Sequence, residues 1–461
     1  MMRRSGTVLV AVLVLVMLSA LAAAVLLYRA QAEVTAATAA GRGQQAYATA
    51  MTGLQRTMAI LSASGADQSV WTDNPELFRA QWICNDGAND WFFTIYAQNP
   101  VDRDVLRNGV TDEASKININ TAGEDALLAL PGMTPDLVDA LMDYRDADAN
   151  TRPQGAEQDY YDQLPHPYLI KNGPLMTVEE LLLVKGFTAA LVYGEDYNLN
   201  GLLEPGEDDG DATFPPDNDD GQLDRGLLGM ATTWSYERNV AADGSKRINI
   251  NANPDGQSPG GDPNAAGLLP QTQEFIRLYR QEGNVFKHPA ELLNLRYQLK
   301  NDQDKLKAGQ WIESGVGADE LPQVIDRLTA QAGKIVFGKV NINTASAEVL
   351  AALPGFDEDL AGQIVSAREQ LDAPLKETIA WPYTQNVVSA DTFKAIAPFL
   401  ASRSWQFHVR CVAYGWPCGQ YRVVEAVVDM AGSSPRMLYQ RDLTRLGLPF
   451  AIDVEREQTQ R

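Results

Sequence analysis

Oxygen-bearing side chains crowd one short stretch of this chain. Between Asp196 and Glu207, Asp196, Asn198, Asn200, Glu204 and Glu207 fall at loop positions 1, 3, 5, 9 and 12. Gly201 takes the sharp turn at position 6, Leu202 offers a carbonyl at 7, and Leu203 supplies an apolar anchor at 8. This is the spacing of an EF-hand loop, which wraps a hard cation, above all calcium, in oxygens. Pro205 blocks an ordinary exit helix, so the expectation is a structural calcium loop rather than a paired sensor. A second cluster, Asp217, Asp219, Asp220 and Asp224, has ligand types at less regular spacing and extends the acidic loop over 195–224.

Other chemistry is scarce. His166, His288 and His408 are scattered, with no pair at zinc spacing and no cysteine–histidine pair in a nucleophile context. No glycine-rich phosphate loop is present, so the chain reads as a non-enzyme whose histidines are structural. A balance of 38 Lys+Arg against 60 Asp+Glu, net charge -22, disfavours a partner held through phosphates. Of the three cysteines only Cys411 and Cys418 are close enough in sequence for a local disulfide, which would leave Cys84 single.

The elements that must carry the acidic loop include a repeat. Lys-Ile-Asn-Ile-Asn-Thr-Ala at 116–122 returns as Lys-Val-Asn-Ile-Asn-Thr-Ala at 339–345. Each is followed by an apolar helix ending in Pro-Gly (Pro131-Gly132, Pro354-Gly355) and by a second helix, Leu137–Arg145 or Leu360–Arg368. Thr121 and Thr344 are placed to cap the first helices, with Glu124 and Glu348 in their first turns. These are helix-hairpin-helix units near 116–145 and 339–368. Arg247-Ile-Asn-Ile-Asn is a weaker echo that opens a degenerate region over 225–338. Thr177 with Glu180 reads as a capping box, and Gly186 as the stop of that helix.

Such hairpins often bind DNA through a glycine-rich turn that lets backbone N–H groups reach a phosphate. Here the turns continue Met133-Thr134-Pro135-Asp136 and Phe356-Asp357-Glu358-Asp359, with carboxylates where a phosphate would sit. Protein packing is therefore the expected role, and no nucleic-acid partner is expected.

Two flanking regions complete the chain. Arg3 and Arg4 precede Thr7–Tyr28, which is free of charge and as a helix spans roughly 33 Å, enough to cross a bilayer. The arginines orient the N-terminus to the cytoplasm. A cleaved signal peptide ending at Ala30-Gln31-Ala32 is the alternative. Helix continues over Ala30–Ser64, loosened by Gly41 and Gly43. Strands are expected at Trp91–Tyr96, Trp405–Val412, Tyr421–Asp429 and Met437–Leu443, with mostly helical patterns from 101 to 401. The fold class is α+β: a long helix on a small antiparallel sheet, interrupted by a large helical insertion.

A basic leader ending in Gly6 before a long apolar helix resembles the type IV pilin and pseudopilin class. Val178-Glu-Glu-Leu-Leu ahead of Tyr193-Gly-Glu-Asp resembles the K-type minor pseudopilins of type II secretion, as does Ala11 where most pilins carry glutamate. The resemblance covers nearly the whole chain and is loosest over Asp224–Gly338. It implies cleavage between Gly6 and Thr7 by a prepilin peptidase. It also implies a place at the pseudopilus tip, I- and J-type minor pseudopilins and the secretion inner-membrane platform as partners, and a single-pass inner-membrane protein with its bulk in the periplasm. The implied layout is a leader (1–6), a transmembrane helix (7–28), pilin-like helix and first strands (29–100), the insertion (101–401) and closing strands (402–461). A competence-type DNA receptor, which also pairs a membrane anchor with an Asn-Ile-Asn-Thr-Ala hairpin, is the rival.

Overall fold

A computed structural model describes residues 5–64, 67–99, 105–210, 212, 217–252, 266–303 and 306–452, with side chains from residue 8 onward. Met1–Arg4, including Arg3 and Arg4, lie outside the described residues. Helix α1 runs unbroken from Ser5 to Ser64, so Gly6 and Thr7 are in its first turn and Gly41 and Gly43 leave no gap. Among the described residues it is the one helix long and apolar enough to cross a membrane. Its two halves differ. Leu9 and Leu27 are about 70% exposed, whereas Ala46, Ala50 and Leu54 are fully buried.

The buried half lies on an antiparallel sheet whose main path is β1 (Gln81–Asn85), β2 (Asp90–Gln98), β5 (Gln406–Trp416), β6 (Tyr421–Asp429) and β7 (Arg436–Asp442). Short β3 (Leu106–Arg107) pairs β2, and β4 (Thr111–Asp112) pairs β5. Strand alternation sorts the faces. Phe407, Val409, Cys411 and Ala413 of β5 join Phe93 and Ile95 against Ala50, Leu54, Met58 and Leu61 of α1. Val412 and Tyr414 join Phe92, Tyr96 and Val423 on the other face. Contact with α1 is close because residue 53 is glycine: a Cβ there would stand 2.8 Å from Phe93 Cδ2 and 3.0 Å from Cys411 Sγ.

The sequence places Tyr421–Asp429 with the bounds observed, and the β-run Trp91–Tyr96 lies inside β2. β1 was not anticipated: its Gln-Trp-Ile-Cys-Asn carries little alternation. The sheet also reaches past residue 100, because β3 and β4 belong to it, so the insertion leaves the sheet after Asp112.

The insertion is built from three copies of one plan. Ile117–Asn118 pairs in parallel with Ala231–Thr232, Ile248–Asn249 with Leu328–Thr329, and Val340–Asn341 with Leu400–Ala401. The echo at Arg247 is therefore a third unit. In each copy the first asparagine turns the chain, its Oδ1 accepting from the N–H two residues on: Asn118 from Asn120 and Asn249 from Asn251 (3.0 and 2.8 Å), and Asn341 from Asn343 at 3.0 Å. The second asparagine then donates across the unit, Asn120 Nδ2 to Leu175 O, Asn251 Nδ2 to Phe286 O and Asn343 Nδ2 to Lys376 O. An arginine at the end of the long helix closes each unit: Arg145 on Ile119 and Ala122, Arg280 on Asn251, Arg368 on Ile342 and Ala345, all through backbone carbonyls. The recurring asparagines thus satisfy backbone groups that would otherwise be buried unpaired.

Three local expectations are corrected. Thr121 and Thr344 do not cap: Glu124–Leu128 starts after Gly123 without a side-chain cap, and Ser346 caps Ala347–Ala351. Thr344 instead donates to Asp112 at 2.6 Å. Val178–Leu183 is a 3-10 helix rather than an α-helix, without a side-chain bond from Thr177, although Glu180 accepts from Met176 N at 2.9 Å. All three cysteines are free. Cys411 points into the core under α1 and Cys418 lies in the turn beyond the end of β5. Cys418 Sγ lies 3.5 Å from Gly415 O, and the strand from Cys411 to Gly415 spans about 13 Å, far more than a disulfide bridges.

Candidate functional site

The hairpin turns face solvent at Gly132 and Gly355 and set carboxylates beside them, Asp136 at the first and Asp357, Glu358 and Asp359 at the second, all exposed. At Gly132, with φ +71°, a Cβ would stand 2.6 Å from Leu191 Cδ1, and at Gly355 3.3 Å from Ile396 Cγ2. Both turns are therefore packed against later helices of the same unit. Their N–H groups are also spent internally, Met133 N donating to Leu130 O and Phe356 N to Leu353 O.

The acidic loop folds as its glycine requires and docks on the sheet. Gly201 adopts φ +78° and Leu199 +56°. Arg410 of β5 donates to Leu199 O (2.8 Å), and Arg225 joins Gln98 Oε1 (2.8 Å) to Asp196 Oδ2 (3.3 Å). Asp196, Asn200 and Glu207 are buried, as a ligand set facing an ion would be. Glu207 Oε1 has no hydrogen-bond partner among the described residues, while Oε2 accepts from Glu204 N at 3.1 Å. Burial, then the charge of Asp196 and that of Glu204, pushes the Glu207 carboxyl up to about 7. Asn198 and Asn200 turn their amide nitrogens to Glu204, at 3.2 and 3.0 Å, and Leu202 N donates to Asn200 Oδ1. The orphaned oxygen of Glu207 fits a cation. The Arg225 guanidinium on Asp196 already supplies part of the positive charge a cation would bring.

The second cluster does not converge on one point. Asp217 accepts from Asp209 N and Gly210 N, and Asp219 and Asp220 are exposed. Asp224 caps the turn into Gly226 and is tied by backbone to Glu195. These carboxylates organise the loop backbone. Among the described residues, the group of acidic side chains whose ligand atoms all lie within 4.8 Å of one another is a different one: Asp146, Asp148 and Glu157.

Where the insertion meets the sheet, a cluster of charges is buried that the sequence did not reveal. His408 of β5 bridges Glu113 (3.2 Å) and Glu425 (3.3 Å), with Arg410 and Arg441 at 3.7 and 3.8 Å from Glu425. Burial opposes ionisation of Glu425, but His408, Arg410 and Arg441 outweigh it and hold its carboxyl at about 2. His408 itself is raised above its usual value: burial works against its charge and the two glutamates prevail. Glu113 is 295 residues from His408 while Glu425 is 17 away, so only the alternation in β5 and β6 hinted that their polar residues share a face.

Residues 107–193 match the family model described as type II secretion system, protein K, and residues 336–374 match the helix-hairpin-helix motif model. The crystal structure of the GspK-GspI-GspJ complex from the enterotoxigenic Escherichia coli type 2 secretion system is similar at 10% identity. It covers 87% of this chain and 96% of that chain with a TM-score of 0.39. No curated protein matches the chain.

Proposed function

We propose that this chain, whose residues 107–193 match the type II secretion protein K model, sits as a minor pseudopilin at the tip of the pseudopilus and helps start its assembly. The observation that carries this reading is the division of α1. One continuous helix is uncharged and largely exposed from Val8 to Tyr28, and between Ala46 and Leu61 it buries one face against a sheet. Such a helix serves as a membrane anchor before assembly and as an apolar spine surface for other subunits after it, the I- and J-type minor pseudopilins in this reading. Release from the membrane would follow cutting between Gly6 and Thr7 by a prepilin peptidase. The large head would lie in the periplasm beyond the inner-membrane platform.

Calcium at the loop of Asp196, Asn198, Asn200, the Leu202 carbonyl, Glu204 and Glu207 belongs to the same proposal, as a structural ion that neutralises the buried Glu207. The competence-receptor reading is disfavoured because exposed carboxylates stand beside the hairpin turns where a phosphate would sit.

N-terminal sequencing of the chain from membranes containing the peptidase tests the reading. A mature end at Thr7, lost in Gly6→Leu, together with co-purification of the I- and J-type subunits, is expected. An end near Glu33 would show a signal peptide and remove the spine.

A further inference from the structure

A second loop carries the ligand spacing of 196–207. Asp146, Asp148, Asn150 and Glu157 stand at positions 1, 3, 5 and 12 of the stretch Asp146–Glu157, with Thr151 rather than glycine at position 6 and Pro153 at 8. In the fold, one oxygen from each of Asp146, Asp148 and Glu157 lies within 4.8 Å of the others. Asp148 is exposed, so the cluster opens to solvent on one side, while Glu157 at its floor is only 7% exposed. Both carboxylate oxygens of Glu157 are buried without a hydrogen-bond partner among the described residues, and so is Asn172 Oδ1. Asn172 spends its Nδ2 on Asp148 O at 3.0 Å.

The loop is held in this shape by contacts that leave the cluster empty of positive charge. Arg152, its own cation, is committed to Asp139 (2.7 Å) and Glu124 (2.6 Å). Asp143 takes the Arg152 N–H at 3.1 Å, and Gly155 lies so close that a Cβ there would be 1.9 Å from Asp143 Oδ2. This clamp turns the chain back and delivers Glu157 to the two aspartates. Asp146 Oδ1 accepts from Asp148 N at 3.2 Å and Asp148 Oδ1 from Asn150 N at 2.8 Å, but among the described residues no donor reaches the buried Glu157 carboxylate, and a buried charge is not left uncompensated.

We propose that Asp146, Asp148 and Glu157 bind a divalent cation of the hard, oxygen-seeking class, calcium in an extracytoplasmic setting. Neutral oxygens are at hand to complete the shell. Asn150 now donates Nδ2 to Asp148 Oδ1 at 2.7 Å, and a flip of its amide presents the oxygen instead. Asn172 Oδ1 is the other. The site is separate from the loop at 196–207 and stands or falls without the secretion reading.

The test uses the full chain in detergent, stripped with chelator and titrated with calcium chloride alone, in a Glu207→Gln background that disables the other loop. Binding of one equivalent is expected, with a rise in melting temperature of about 3–5 °C at a hundredfold excess over Kd. Adding Asp148→Asn, at an exposed position that does not threaten folding, should weaken binding by about tenfold or more, and Glu157→Gln should abolish both binding and the rise. The proposal is overturned if the Glu207→Gln protein neither binds calcium nor gains stability from it, or if Glu157→Gln and Asp148→Asn bind as it does. It is equally overturned if Glu157→Gln raises the melting temperature of the stripped protein above that of the calcium-loaded parent, since repulsion alone would then explain the cluster.

Discussion

Gly53→Ala is the sharpest probe of how α1 meets the sheet. Alanine should favour a helix over glycine by about 1 kcal/mol wherever nothing interferes. At Gly41, earlier in the same helix, a new Cβ meets nothing within 4 Å, so Gly41→Ala should leave stability unchanged or raise it by up to that amount. At Gly53 the same methyl would lie 2.8 Å from Phe93 Cδ2, 2.9 Å from Phe93 Cγ and 3.0 Å from Cys411 Sγ. Ordinary contact begins near 3.4 Å, so helix or sheet must retreat by about half an ångström across a face where Phe93 and Cys411 are wholly buried. Overpacking of this kind costs about 1–3 kcal/mol. After the helix-propensity gain, Gly53→Ala should be destabilised by about 0–2 kcal/mol, and should fall below Gly41→Ala by about 1–3 kcal/mol. Guanidinium unfolding of both full-length variants in detergent, followed by tryptophan fluorescence, measures the difference. Equal stability, or Gly53→Ala the more stable, would refute the close approach and with it the reason for glycine there.

Two further outcomes are expected. Arg368→Met should strip the donors from Ile342 O and Ala345 O and cost about 2–5 kcal/mol for two buried carbonyls; the surface ion-pair variant Lys307→Met should change stability by no more than about 0.5 kcal/mol, and parity between the two would remove the clamp. His408 is raised above its unfolded value by Glu113 and Glu425, so its contribution is fully present below about pH 6.5 and is lost as pH rises through the folded pKa. Unfolding midpoints should therefore decline above pH 6.5 in wild type and less so in His408→Gln. His288, which burial holds well below its usual value, acts only at lower pH, so an identical decline in both proteins would show that His408 carries no charge in the fold.

Much of this was readable because local signals agree with the fold. The charge-free run before Tyr28 and the β-formers of Tyr421–Asp429 each point to one structure, and both formed. The repeat was readable because its asparagines do the same backbone work in each copy. What failed depended on distant partners. Thr344 has the composition of a cap, but a buried carboxylate 232 positions away takes its hydroxyl. The third unit showed only as the echo Arg247-Ile-Asn-Ile-Asn, because the residues after it diverge from those of the other two copies. The acidic loops show a different failure. Gly201 at position 6 drew attention to 196–207. The stretch 146–157 lacks that glycine, and its turn is made instead by the Asp143–Gly155 clamp, which lies partly outside the twelve-residue window.

The repeats also diverge where the insertion is fastened, which explains why they are not interchangeable. Asp112, the last residue of β4, is buried and accepts from Thr344 Oγ1 and Ser404 Oγ at 2.6 Å, from Asn341 Nδ2 at 3.0 Å and from Ala114 N at 2.8 Å. Burial raises its pKa, and those donors resist the rise. One carboxylate thus joins the strand where the chain leaves the sheet, the opening of the third unit and the residue just before the chain re-enters β5. In the first unit the equivalent threonine, Thr121, reaches only Asn118 O at 3.5 Å. Next to this lock, Glu113 from the departing segment meets His408 of β5 and, through it, Glu425 of β6. Departure and return are therefore fixed by directional polar bonds rather than by apolar area alone. A head tied at both ends in this way moves with the sheet, and the sheet moves with α1.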